Sequence, residues 1–330
     1  MSTDTSEKGL ELLIMRSLTG LSNEQILSFG QSGGVAESPA GYAGAGYLLG
    51  HTKDYDKDHA VDLRHLLAFI QCTQPKAFDQ LGLATEGNAR LQFLNRLQGE
   101  IAKRGIVDVL RKGVSHGPVT VQLCYGTPSK GNAKAIEQWN SNLFSITRQL
   151  QFSKDNSKLA LDLCLFLNGL PIATFELKNR LTKQTVEDAV QQYKRDRDPR
   201  ELLFQFPRCL VHFAVDDQQV MFCTKLAGKD SWFLPFNKGW NDGAGNPPNP
   251  EGMKTDYLWR EILTKEGLID ILENYAQLVE TKDDKTGKKK QTLIFPRYHQ
   301  RDVVRKLLAD AKTKGAGQRY LIQHSAGSGK

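Results

Sequence analysis

Residues 159–179 read LALDLCLFLNGLPIATFELKN, and this stretch decides the fold. Two apolar runs of strand length flank an Asn-Gly pair at 168–169, the dipeptide most typical of a two-residue hairpin turn. The only charged residues in the stretch are Asp162, Glu176 and Lys178. A charge inside an otherwise apolar strand is costly unless it has a partner or binds an ion. The stretch therefore predicts a buried hairpin that carries a cluster of charges.

The spacing of these charges also constrains how the two strands pair. Glu176 and Lys178 are two residues apart on one strand, so their side chains point to the same face. A regular two-residue turn would place Asp162 on the opposite face from Glu176. One extra residue, or a bulge, would instead bring the two carboxylates to the same face, and Pro171 cannot donate to a strand ladder. A shared site therefore predicts an irregularity between residues 168 and 172.

Two carboxylates and a lysine on one face suit metal-assisted hydrolysis of a phosphodiester. Asp162, Glu176 and the backbone carbonyl of Leu177 are hard oxygen ligands of the kind Mg²⁺ prefers. Lys178 is then a candidate to orient a water molecule or to balance negative charge on the phosphate. A structural ion pair is the alternative, and it is the better interpretation of so short a motif in isolation. The strand–turn–strand context favours the metal site.

Composition restricts the class of protein. The chain has 330 residues, 39% apolar and 25% charged, which is ordinary for one large globular domain or two. Lys and Arg exceed Asp and Glu by 44 − 37 = 7, an excess that suits phosphate-rich partners. The five cysteines are widely spaced, which indicates reduced thiols and a cytoplasmic protein. No apolar run approaches the roughly 20 residues of a membrane span, so no membrane partner is expected.

Hydrophobic periodicity and turn residues divide the rest of the chain into segments. Predicted helices are Leu10–Leu18, Asp58–Ile70, Asn88 to a stop at Gly105, Asp256–Glu280 and Asp302–Lys312. Predicted strands are Val119–Tyr125, Thr147–Phe152, Leu159–Leu167, Ile172–Leu177, Cys209–Val215, Val220–Thr224 and Tyr320–Gln323. Gln31–Gly50 is interpreted as a structured loop, Pro235–Met253 as an irregular surface segment and Thr281–Lys290 as a solvated linker. This order indicates a mixed α/β domain followed by the edge of a second one.

One more helix follows the hairpin. Its capping box begins at Thr185, and its apolar face includes Ala189 and Tyr193. Basic residues surround this helix: Arg180, Lys183, Lys194, Arg195, Arg197 and Arg200. They form either a phosphate track beside the charged hairpin or an ordinary solvated face, and the sequence leaves both interpretations open.

The end of the sequence carries the first part of a phosphate-binding loop. The predicted strand at 320–323 leads into a glycine-rich segment containing Gly327, Ser328, Gly329 and Lys330. Backbone N–H groups of such a loop cradle phosphates, and the lysine reaches the outer ones. The hydroxyl residue and the helix that normally follow the lysine are not in this sequence. We therefore expect no ATP turnover by this chain alone.

Several segments together resemble the restriction (R) subunit of type I restriction-modification enzymes. They are Gly46–Gly50, Asp162 with Glu176–Lys178, Thr185–Tyr193, Asp196–Pro199, Phe233–Gly239, Gly245–Pro248 and Gln323–Lys330. The resemblance implies a PD-(D/E)xK restriction-endonuclease-like mixed sheet flanked by helices, followed by the start of a helicase-like RecA domain. It also implies Mg²⁺-dependent cleavage of double-stranded DNA, coupled in the intact protein to ATP-driven translocation. Methyltransferase and specificity subunits are the implied partners.

The same resemblance assigns individual residues. It implies Asp162 and Glu176 as metal ligands, Lys178 as the catalytic lysine, and Gln300 as an adenine-reading residue beside the nucleotide loop. Many family members carry Gln-x-x-x-Tyr on the helix after the hairpin. Here Tyr193 matches but Ala189 stands at the glutamine position, and Gln191 or Gln192 is a candidate substitute. Core packing of Tyr193 is at least as good an interpretation as a DNA contact.

These expectations divide the chain into two parts. Residues 1–285 are predicted to form the endonuclease domain, and residues 286–330 the beginning of an ATP-dependent translocase domain of the superfamily 2 helicase type. A different class of function, a non-catalytic docking or DNA-clamp module that engages the partner subunits, remains the alternative. It is distinguished by whether loss of Asp162 or Lys178 abolishes DNA cutting.

Overall fold

A computed structural model describes residues 7–32, 44–241, 243–282, 287 and 289–324. The chain divides into two compact units, Met1–Phe295 and Pro296–Lys330. The α-helices are α1 Glu7–Thr19, α2 Asn23–Ser32, α3 Leu63–Thr73, α4 Pro75–Gln80, α5 Asn88–Lys112, α6 Ala133–Asn140, α7 Val186–Asp196, α8 Lys265–Asp270 and α9 Tyr298–Lys314. The strands are β1 Leu48–Leu49, β2 Tyr55–Asp56, β3 Val61–Asp62, β4 Val114–His116, β5 Val119–Val121, β6 Phe144–Gln151, β7 Ala160–Leu167, β8 Leu170–Leu177, β9 Val211–Val215, β10 Val220–Cys223, β11 Leu234–Pro235, β12 Gln277–Lys282 and β13 Lys289–Ile294.

A seven-stranded mixed sheet forms the centre of the first unit, in the order β1-β6-β7-β8-β9-β10-β11. β1 pairs parallel with β6, and β8 pairs parallel with β9, whereas the other neighbours are antiparallel. The connection between β8 and β9 contains α7, as expected because parallel neighbours need a crossover. The predicted mixed sheet flanked by helices is confirmed.

The helix α7 covers one face of this sheet. Its buried residues Val186, Ala189, Val190 and Tyr193 recur at helical spacing and belong to the same apolar cluster as Ala214 of β9. The backbone N–H of Thr185, which caps the start of the helix, donates a hydrogen bond to Oδ2 of Asp188, as the capping-box pattern predicts. The predicted helix is therefore confirmed, and it is fixed directly over β8 and β9.

The opposite face of the sheet packs an aromatic cluster. Phe213, whose side chain alternates with that of Ala214, lies 5.8 Å from Phe236 and 5.9 Å from Phe295 between ring centroids. Phe222 of β10 lies 5.8 Å from Phe236 in the same way. Because both faces are covered, the central strands read as continuous apolar runs, and any charge on them is conspicuous.

Several sequence predictions need correction at their ends. The helix expected at Asp58–Ile70 begins only at Leu63, because Asp62 caps it by accepting a hydrogen bond from the His65 N–H at 3.1 Å. The residues before it form the short hairpin of β2 and β3. The stop at Gly105 is real, since its φ of +79° interrupts α5, but a second helical run follows at once. Of the loop expected at Gln31–Gly50, residues 31–32 belong to α2 and residues 48–49 form the edge strand β1, whereas residues 33–43 lie outside the described part of the chain.

Two larger corrections lie near the end of the first unit. The helix expected at Asp256–Glu280 is broken into two π-helical turns, Leu258–Ile262 and Ile271–Tyr275, on either side of α8. It ends before β12, which pairs with β13 along six residues. Strands therefore occupy both ends of the expected linker Thr281–Lys290, because cross-strand pairing is not visible in local composition. The division expected at residue 285 falls between these two strands, and the first unit extends to Phe295.

The second unit contains α9, which confirms the helix predicted at Asp302–Lys312. The strand predicted at Tyr320–Gln323 is wrong, since these residues are not in a strand. A strand requires a hydrogen-bonded neighbour, and within the described residues none pairs with this segment. Leu321, for example, is 93% exposed. Whether this unit begins a translocase domain stays a prediction.

Candidate active site

The hairpin of β7 and β8 combines a tight turn with one extra residue. Asn168 and Gly169 have φ values of +51° and +81°, as a two-residue turn with both central residues left-handed requires. Leu167 pairs with Leu170, but further along the ladder Leu165 pairs with Ala173, so the register shifts by one. The irregularity predicted between residues 168 and 172 is therefore confirmed, with the extra residue in β8.

This shift decides where the carboxylates lie. Leu163 pairs with Phe175, so continuing the ladder by one residue sets Asp162 opposite Glu176. The Oδ2 of Asp162 accepts a hydrogen bond of 2.7 Å from the backbone N–H of Leu177. Without the extra residue, Asp162 would face the other side of the sheet. The bulge is thus what brings the two carboxylates to the same face of the sheet, at the end of the hairpin away from its turn.

Glu176 is fully buried and only half satisfied. Its Oε1 accepts a hydrogen bond of 2.6 Å from Nε of Arg197. Its Oε2 is buried and has no hydrogen-bond partner among the described residues. The pKa of Glu176 is raised to about 8, chiefly by burial, while the Arg197 guanidinium lowers it and the nearby Asp162 raises it. Burial outweighs the ion pair because desolvation penalises the charged carboxylate strongly.

Lys178 completes the cluster. Its side chain lies on the same strand face as Glu176, it is 7% exposed, and its charge lowers the pKa of that carboxyl. The backbone N–H of Lys178 donates to the Val215 carbonyl at 2.9 Å, which ties this end of β8 to β9. The structure therefore brings together Asp162, Glu176, Leu177 and Lys178, the four residues that the sequence predicted at one site.

This donor set fits a divalent cation with oxygen ligands. An unpartnered buried oxygen on Glu176 costs about 1–3 kcal/mol, and an ion beside it would remove that cost. Asp162 and the Leu177 carbonyl supply the further oxygens that such an ion takes. The described residues hold no group of three or more His, Cys, Asp or Glu side chains suited to a metal. Asp162, Glu176 and the Leu177 carbonyl are therefore the groups of this cluster that could hold a divalent cation.

The residues predicted around α7 are placed less uniformly. Lys183, which precedes α7, is exposed, and Lys194, in its last turn, is half-buried, so solvent can reach both side chains. Gln192 is half-buried and Gln191 exposed, while Ala189 is buried in the core. Arg197, expected among exposed basic residues, is instead buried at the C-terminal end of α7, where it pairs with Glu176.

Tyr193 packs in the core with its hydroxyl satisfied. The ring is fully buried, and its hydroxyl shares a hydrogen bond of 2.8 Å with Thr174 Oγ1. Thr174 Oγ1 also lies 2.7 Å from Nδ1 of His212. Burial alone lowers the pKa of His212 to about 3, so this imidazole is neutral. The three side chains form a buried polar cluster that joins α7 and β9 to β8, the strand that also carries Glu176.

Sequence reasoning missed two residues beside the site, Glu11 and Gln149. Glu11 of α1 is 4% exposed, although it stands in an apolar helix, and it is hydrogen-bonded by Nε of Arg148. It also accepts a bond of 2.8 Å from Nε2 of Gln149, and that same nitrogen lies 3.4 Å from Oδ1 of Asp162. A lone acid inside the apolar run at residues 10–15 was the available signal.

The nucleotide-site predictions fall mostly outside the described residues, which end at residue 324. Gly327, Ser328, Gly329 and Lys330 are in that part of the sequence. Gln300 lies in the first turn of α9, where its Oε1 accepts a hydrogen bond of 3.0 Å from the N–H of Arg297. In the described ranges, no helix has the length and apolar character needed to cross a membrane.

Comparisons with known proteins agree on one family. A family model described as type I restriction enzyme R protein N terminus matches residues 53–231, which is more than half of the chain. An endonuclease subunit of type I restriction enzyme MjaVIIIP from Methanocaldococcus jannaschii is 26% identical over 253 residues, 72% of this chain and 22% of that protein. The HindI endonuclease subunit of Haemophilus influenzae is 26% identical over 201 residues, 59% of this chain and 18% of its own.

A second Methanocaldococcus jannaschii subunit, of enzyme MjaIXP, is 33% identical over 159 residues, 42% of this chain and 15% of that protein. The chain therefore spans about a fifth of the length of the curated relatives it matches. The family match includes β7, β8 and α7, the elements that build the charged site. This chain belongs to the family of type I restriction enzyme R protein N-terminal regions.

Proposed function

We propose that this chain is the nuclease part of a type I restriction enzyme and cleaves double-stranded DNA with the help of Mg²⁺, on a PD-(D/E)xK site. The buried Glu176 Oε2, which has no hydrogen-bond partner in the described part of the chain, carries this proposal. A carboxylate oxygen that is neither solvated nor paired is a poor stabilising element, yet it is a good ligand. Because Glu176 lies across the hairpin from Asp162, this oxygen is placed to bind an ion together with the Asp162 carboxylate.

Each residue has a distinct task in this proposal. Asp162, Glu176 and the Leu177 carbonyl would hold Mg²⁺, and a bound ion would supply an acidified water and charge compensation for the phosphate. The Leu177 N–H keeps the Asp162 carboxylate oriented through its bond of 2.7 Å. Lys178, a cation two residues from Glu176, orients the attacking water and stabilises negative charge on the phosphate oxygens.

The reaction is a hydrolysis. The oxygen of water forms a bond to phosphorus while one ester P–O bond breaks. The departing sugar oxygen takes up a proton, and the attacking water loses one to solvent. Water is the second reactant, and no oxidant is needed. Exposed Lys183 and half-buried Lys194 lie close along the chain to the site, where cations can contact the DNA backbone.

Several features belong to the whole protein, of which this chain is a part. We propose that the parent protein couples cleavage to ATP-driven translocation, using Gln300 and the loop that ends at Lys330. We further propose that methyltransferase and specificity subunits supply target recognition. The relatives named above are subunits of type I restriction enzymes, which supports the proposal of partner subunits. The proposal of translocation rests on the resemblance of residues 323–330 to a phosphate-binding loop.

The test is cleavage by the assembled enzyme with single substitutions in this region. Asp162→Asn is expected to abolish DNA cutting, because it removes a carboxylate that would hold Mg²⁺. Folding should stay intact, because the substitution removes a charge from a half-buried position. Asp155→Asn is the matched control, an exposed acid in the loop just before β7, and is expected to cut normally. Normal cutting by Asp162→Asn would contradict the proposal and favour a non-catalytic docking module.

A further inference from the structure

Arg197 reaches both strands of the charged hairpin from the end of α7. Its side chain is 4% exposed, and Nε donates to Glu176 Oε1 at 2.6 Å. Nη2 of the same guanidinium donates to the Ala160 carbonyl at 2.8 Å. The guanidinium carbon lies 5.5 Å from the ring centroid of Phe152, so an aromatic face supports it. Three separate contacts thus hold one rigid group.

These contacts act on both carboxylates of the site. Ala160 begins β7 and stands two residues before Asp162, whereas Glu176 is on β8. A planar guanidinium offers its donors at fixed angles, so it links the two strands at a fixed separation. Because Nε engages Oε1 of Glu176, the oxygen left without a partner in the described residues is Oε2. One side chain therefore selects which oxygen faces the proposed ion.

The same contacts argue against a DNA-phosphate role for Arg197. A phosphate could reach this guanidinium only after it left Glu176, and that would strand a fully buried carboxylate. Arg200, three residues on, has the opposite character. Its side chain is 91% exposed, and it is paired with its neighbour Asp198. Of the two arginines, only the exposed one is placed for contact with solvent-borne partners.

We propose that Arg197 is a positioning residue for the metal site, fixing the Glu176 carboxylate so that Oε2 faces the ion and holding β7 and β8 at the spacing the ion requires. This inference rests on the proposed function, since it assumes that Asp162 and Glu176 hold a divalent cation. Arg197 touches neither DNA nor the reacting water in this account. Its effect passes entirely through Glu176 and the start of β7.

The test compares Arg197→Lys with Arg200→Lys in Mn²⁺ titrations of this chain by calorimetry. Lysine keeps the positive charge but lacks the planar set of donors by which the guanidinium binds Glu176 and the Ala160 carbonyl together. Arg197→Lys is therefore expected to raise the Mn²⁺ dissociation constant about tenfold or more. Arg200→Lys is expected to leave it unchanged. In the assembled enzyme, cutting by Arg197→Lys should return at high Mn²⁺, whereas the KM for DNA stays constant.

Three results would overturn the inference. An unchanged Mn²⁺ constant with a lowered melting temperature would make Arg197 purely structural. An unchanged constant with weaker, less salt-dependent DNA binding would make it a phosphate contact. If the unaltered chain binds Mn²⁺ no better than Asp162→Asn does, the proposed function itself fails along with the inference. Should Arg197→Lys not fold, Phe152→Leu, which removes the ring beside the guanidinium and keeps an apolar side chain in the core, is expected to weaken Mn²⁺ binding in the same direction, and an unchanged constant would refute the inference.

Discussion

Replacing Gly169 by alanine should destabilise the chain far more than the same change at Gly131. Both glycines have a φ of +81°, so an alanine at either position pays the same left-handed strain of about 1 kcal/mol. They differ in their surroundings. A Cβ on Gly169 would lie 2.6 Å from the backbone N of Leu66 and closer still to the Asp62 carbonyl oxygen, whereas a Cβ on Gly131 would have no neighbour within 4 Å.

The contact at Gly169 is with backbone at the start of α3, which cannot turn aside as a flexible side chain can. Forcing an extra carbon into such a site costs typically about 1–3 kcal/mol beyond the strain. We therefore expect Gly131→Ala to lower the free energy of unfolding by about 1 kcal/mol and Gly169→Ala by about 3 kcal/mol, measured by urea unfolding followed by circular dichroism. Equal losses in the two variants would refute the close packing of the hairpin turn against α3, and with it the reason for the Asn-Gly turn at this place.

Three further predictions concern the site and its support. The pKa of His212 is held near 3 in the folded chain against about 6.5 unfolded, so the unfolded state binds more protons between these values and stability falls as pH drops below about 6.5. At pH 5 this loss amounts to about 2 kcal/mol relative to pH 7, which His212→Gln should abolish in unfolding curves; an identical pH dependence in the variant would contradict a neutral buried imidazole. Lys178→Met should reduce DNA cutting by the assembled enzyme about 100-fold or more without weakening Mn²⁺ binding, and cutting within a few-fold of normal would exclude the catalytic role. Glu11→Gln should raise the Mn²⁺ dissociation constant about tenfold, because it loosens Gln149 beside Asp162, and an unchanged constant would show that α1 does not support the site.

The hairpin could be predicted in detail because its signals are local. The Asn-Gly turn, the apolar runs and the three charges lie within one stretch of sequence. A regular turn would place Asp162 and Glu176 on opposite faces of the hairpin, so a shared site required a one-residue irregularity. The structure contains that irregularity. The helix α7 was equally legible, since a capping residue and four apolar positions occur within a few turns.

The support of the site could not be predicted, because it depends on contacts between distant residues. Arg197 is 21 residues from Glu176, and the hydrogen bond between them forms only once α7 packs over β8. Glu11 is 138 residues from Gln149. Residues 277–280 were predicted as the end of a helix and residues 281–282 as the start of a linker, whereas both belong to β12, which pairs with β13. Strand pairing and side-chain partners of this kind are set by the whole fold.

The central claim is that Asp162 and Glu176 hold one divalent cation between them. A crystal of this chain soaked in Mn²⁺ and measured at a wavelength where manganese scatters anomalously tests it most directly. We expect a single strong anomalous peak within about 2.5 Å of both an Asp162 carboxylate oxygen and Oε2 of Glu176. A peak that contacts neither carboxylate, or no peak at Mn²⁺ concentrations that support cutting by the assembled enzyme, would contradict it.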